Sequence, residues 1–87
     1  MTVEDWTIAY REFDAVIIAR KAELRASEEQ GYSELGRRVA RGESAESIAT
    51  AKARIEVTLQ QIVEVDVLQR RIAERRHKGP PVGGEQP

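Results

Sequence analysis

The chain has 87 residues, 33% of them charged, with a formal net charge of −1, 5% aromatics and no cysteine. These values exclude a disulfide framework, a thiolate metal site and a cysteine nucleophile. They also leave a marginal core, because a chain of this size buries only roughly 60% of its unfolded surface.

The first predicted helix opens at Thr2, which stands three residues before Asp5 in capping-box spacing. Apolar residues then fall at Val3, Trp6, Tyr10, Phe13, Ile17 and Leu24, in steps of three, four, three, four and then seven that define one face of a helix. Arg20 stands where the alternation would continue, and Ala9 and Val16 widen the stripe. The longest apolar run here, Ala15-Val16-Ile17-Ile18-Ala19, is far short of a membrane span. Glu4 and Asp5 replace the basic region a signal peptide would carry.

This helix is expected to reach about Gln30, with a break or kink at Gly31. A short second piece over 34–41 would be capped by Ser33, with Leu35 and Val39 on one side and Glu34 four residues before Arg38. The alternative is one helix running through Gly31 and Gly36 to Arg41, at a cost of about 1 kcal/mol per glycine. Arg41-Gly42-Glu43-Ser44 is the clearest turn. Gly42 can close the preceding helix and Ser44 can cap the next, and so short a connection makes antiparallel neighbours.

Residues 44–77 contain neither glycine nor proline. They predict a helix about 50 Å long. Its apolar positions are Ile48, Ala51, Ile55, Leu59, Ile62, Val65 and Ile72, and a second row, Val63 and Val67, continues from Ile55 and Leu59 by steps of four. Asp66 with Arg70, and Glu74 with Lys78, have the spacing of exposed ion pairs. Residues 62–68 alternate and are rich in β-branched side chains, which taken alone suggests a strand. The unbroken run on both sides, and the lack of turn chemistry at Gln60-Gln61, favour helix. Residues 79–87 hold three prolines and three glycines and are expected to be a disordered tail after a helical domain over 1–78.

The fold class expected is all-α: an antiparallel hairpin of two long helices. One hairpin arm is too narrow to cover the arc around 55–68, so two hairpins are expected to dimerise into a four-helix bundle, or the hairpin to dock on another helical protein. The expected association face is Trp6, Tyr10, Phe13, Ile17, Leu24, Ile48, Ile55, Leu59, Ile62, Val65 and Ile72. The function expected is that of a non-enzymatic assembly, adaptor or regulatory subunit in the cytoplasm, with no cofactor and no metal.

Charge is uneven. Residues 1–30 carry 4 basic and 7 acidic side chains, net −3, whereas 70–78 carry 5 and 1, net +4. Arg70, Arg71, Arg75, Arg76 and Lys78 are therefore candidates for contact with nucleic acid or another acidic partner. Basic residues at a helix C-terminus also complement the macrodipole, and no aromatic is interleaved to stack on bases. His77, the one histidine, lacks a second ligand at metal spacing. Residues 39–49 resemble the first half of the helix-turn-helix of LuxR-type regulators, but no glycine turn follows Ile48-Ala49 to start a recognition helix. All-helical chorismate mutases, small dimers that bind a dianion with Arg and Lys on long helices, are a remote alternative on the strength of Arg11, Arg20 and Lys21. That family's pattern of spaced arginines is missing.

Overall fold

The structure is a computed structural model that describes residues 2–79. Two helices, α1 (Val3–Ala40) and α2 (Ala45–His77), form an antiparallel hairpin. Its radius of gyration is 19.8 Å, against about 12 Å for a compact chain of this length. The expected tail falls, apart from Gly79, on residues outside those described.

Both helix starts follow from local chemistry. The Thr2 hydroxyl accepts from the Asp5 amide at 3.0 Å while the Asp5 carboxylate reaches back to the Thr2 amide, which completes the capping box. Ser44 caps α2 by accepting from the Ser47 amide at 3.2 Å. The turn between them is a Schellman closure: the Gly42 amide donates to Val39 and the Glu43 amide to Arg38, with Gly42 at φ +70°.

The break expected at Gly31 does not occur, nor does a separate helix over 34–41. α1 runs unbroken through Gly31 and Gly36. The reason lies across the hairpin. A Cβ at Gly31 would stand 2.9 Å from Ile55 Cγ1, so the glycine is a point of close helix approach. Residues 62–68 are helical, as the long run implied, because Ile62 is buried and Val65 half-buried on the α2 seam.

Burial follows a heptad rhythm on both helices. On α1 the seam alternates Tyr10, Asp14, Ile17, Lys21, Leu24, Glu28, Gly31, Leu35 and Arg38. On α2 it alternates Ile48, Ala51, Ile55, Thr58, Ile62, Val65, Gln69 and Ile72. Steps of three and four, averaging 3.5, are the spacing of a coiled coil. Among the described residues only Ile17, Leu24, Ala51, Ile55, Ile62 and Thr58 are buried, and the Thr58 hydroxyl is satisfied by the Arg54 carbonyl at 3.1 Å.

Candidate functional site

The sequence-derived association face divides into three sets. Ile17, Leu24, Ile55 and Ile62 are buried in the hairpin's own seam. Trp6, Tyr10, Ile48, Val65 and Ile72 are half-buried. Phe13 and Leu59 are exposed, at 54% and 36%. The apolar stripe of α1 and its seam are thus offset. Tyr10, Ile17 and Leu24 belong to both, but Phe13 and Val16 lie to one side, and the neighbouring seam row is charged.

Each charge in that row has a local or cross-hairpin partner. Lys21 Nζ lies 3.0 Å from Asp66 Oδ1 and donates to Gln69 Oε1 at 3.0 Å. Asp14 accepts from Arg76, whose guanidinium also stands 5.9 Å from the centre of the Tyr10 ring. Glu28 pairs with Arg25 on its own helix at 3.3 Å. Asp66 is therefore turned to Lys21 rather than to Arg70, and Glu74 with Lys78 is not among the ion pairs of the described residues. Trp6, Tyr10 and Phe13 form a tilted ladder with ring centres 4.7 Å and 6.4 Å apart.

At the turn end, Glu34 accepts from Arg37 at 2.7 Å and from Arg38 at 3.0 Å, and these two guanidinium groups lower its carboxyl pKa to about 2. Arg38 also donates to the Ser47 carbonyl at 2.9 Å and so ties α1 to the first turn of α2. The Ser47 hydroxyl donates to Glu43, and that bond, then the Arg41 contact, lowers the Glu43 carboxyl pKa.

The basic cluster is exposed throughout, but its members differ. Arg76 is engaged by Asp14 and Tyr10, whereas Arg70, Arg71, Arg75 and Lys78 enter no ion pair among the described residues. Because the helices are antiparallel, this basic end lies beside the acidic start of α1, a pairing of distant segments that the charge profile alone did not disclose. His77 is exposed at the same end, and the described residues hold no group of three His, Cys, Asp or Glu suited to a metal ion.

An open groove of about 460 Å³ runs past Gly31 and is lined by Glu34, Arg37, Arg54 and Thr58 among others. Its one carboxylate is already held by two arginines. No helix among the described residues is long and apolar enough to cross a membrane. Compared with protein-family models, curated proteins and solved structures, the chain matches none.

Proposed function

We propose that this chain is a non-enzymatic assembly subunit, which works by presenting helical surface to a second copy of itself or to another helical protein. One observation carries the reading. Five hydrophobic residues are buried, while twelve large ones are exposed among the described residues: Val3, Ile8, Phe13, Val16, Ile18, Tyr32, Val39, Val57, Leu59, Val63, Val67 and Leu68. Single exposed apolar side chains are ordinary, but rows of them on a two-helix scaffold point to a protein interface. The open, polar groove beside Gly31 supports a binding role over a catalytic one, since it joins no free acid to a free base. A cysteine-free chain suits the reducing cytoplasm.

Light scattering coupled to size exclusion is the test. A mass of two or more chains with high helicity is expected; a well-folded single chain would remove self-association. A second reading rests on the exposed Arg70, Arg71, Arg75 and Lys78, which could follow a phosphate backbone. It requires salt-sensitive binding to DNA or RNA, and no gel shift at low salt would end it.

A further inference from the structure

A stripe on the outer side of α2 is self-complementary when reversed. It comprises Lys52, Glu56, Leu59, Val63, Val67, Arg70 and Glu74, all exposed. At 3.6 residues per turn these seven side chains fall within about 40° of the direction of Val63, while the seam residue Ile62 points about 100° away. The stripe is therefore a second, separate face of the same helix.

Its order is symmetric about Val63. Leu59 and Val67 stand four residues before and after it, Glu56 and Arg70 seven, and Lys52 and Glu74 eleven. At four residues both members are apolar, and at seven and at eleven the members carry opposite charge. None of Lys52, Glu56, Arg70 and Glu74 enters an ion pair among the described residues, although Lys52 and Glu56, like Arg70 and Glu74, are four apart on one helix. Asp66, which lies between stripe and seam, is already committed to Lys21.

We infer that the partner on this face is a second copy of the chain, with its α2 packed antiparallel and the two-fold axis passing Val63. The inference rests on the self-association reading above and adds its face and register. In that arrangement Val63 meets Val63 once on the axis, while Leu59 meets Val67, Glu56 meets Arg70 and Lys52 meets Glu74 twice each by symmetry, as an isologous interface requires. A parallel arrangement would instead stack each charge on its own copy. An unrelated helix would have no reason to repeat this order. Ile18, one turn before Lys21 on α1 and 63% exposed, lies on the side where Lys21 reaches Asp66 and widens the apolar surface offered to the second hairpin.

Two charge reversals test the inference. Glu56→Arg places arginine against Arg70 of the second copy, twice per dimer, and Arg70→Glu places glutamate against Glu56. Each variant alone is expected to weaken the dimer roughly tenfold or more while keeping its helicity. Mixed, the two are expected to regain the two-chain mass as a species containing one of each, which native mass spectrometry resolves. Three outcomes overturn the inference. If the parent is a dimer and neither reversal weakens it, self-association stands but this face is wrong. If each reversal weakens the dimer and mixing restores nothing, the antiparallel register is wrong. A parent that is a single chain removes both the register and the self-association it rests on.

Discussion

The two ends of the hairpin are held together by different means. Near the turn the seam sets small residues among larger ones: Gly31 lies against Ile55, Ala51 and Thr58 share its row, and Leu35 and Ile48 stand nearer the turn. There the helices are clamped by Arg38, which joins Glu34 to the Ser47 carbonyl. Toward the open end the seam is crossed by long side chains, Lys21 to Asp66 and Gln69, and Arg76 to Asp14. The turn end is closed largely by its own residues. The open end leaves Ile8, Phe13, Val16, Ile18, Val63, Val67 and Leu68 uncovered. Small residues let two backbones approach, and fewer large apolar side chains stay uncovered in that half: Tyr32, Val39, Val57 and Leu59. Long polar bridges join the helices without covering the apolar side chains beside them, and those side chains are what a second protein can use.

The largest effect expected from breaking this comparison is at the seam. Ile62→Asp places an unpaired carboxylate at a buried position of the open half, and a loss of about 3–5 kcal/mol is expected. In a chain with so small a core this should collapse the far-ultraviolet helical signal at room temperature. Retention of parent helicity and melting temperature would mean that the open half is not held by this seam at all.

The two helical glycines give the next test, smaller and opposite in sign. Gly36 has nothing within 4 Å of the place a Cβ would occupy, so Gly36→Ala should stabilise α1 by about 1 kcal/mol through propensity alone. Gly31→Ala gains the same propensity but drives a methyl group against Ile55 Cγ1, on a β-branched side chain with little freedom to move. A net loss of about 1–2 kcal/mol is expected. Equal stabilisation by both alanines, measured by urea denaturation, would show that close approach at the turn end is not a packing requirement.

Gly31 also marks the limit of what the chain discloses before folding. Helix starts and stops were legible at Thr2, Gly42 and Ser44, because caps are satisfied by neighbours within three or four residues. The role of Gly31 was not, because its reason for being glycine stands 24 residues away at Ile55, and local propensity reads the same residue as a helix stop. The seam of α1 was half legible for a similar reason. Apolar periodicity selects Phe13 over Asp14, and only the partner Arg76, 62 residues on, shows why a carboxylate sits in the seam. The strand preference of 62–68 shows the reverse: a local signal overruled because Ile62 and Val65 are needed on a helical row. The exposed row through Leu59, Val63 and Val67 was visible as apolar surplus. Its charged flanks were visible only as residues, and their lack of partners within the hairpin is what separates them from ordinary surface charge.

The smallest expected effect lies in the turn clamp and is a pH dependence. The Glu34 carboxyl has a pKa of about 2, down from its usual 4.5, because Arg37 and Arg38 hydrogen-bond its ionised form. A folded-state pKa below the unfolded one means that the ionised group favours the fold. That contribution is fully present above pH 4.5 and is lost as the pH falls toward 2. Glu43, lowered by its bond from Ser47, acts in the same direction. The turn should therefore loosen in acid before the seam melts. Glu34→Gln should remove most of the difference in amide protection, relative to intrinsic exchange at each pH, at the Arg38–Ser47 junction between pH 5 and pH 2.5, while leaving protection at Ile17 and Ile62 as in the parent. An unchanged pH response in that variant would mean that the Glu34 clamp does not set the acid sensitivity of the turn end.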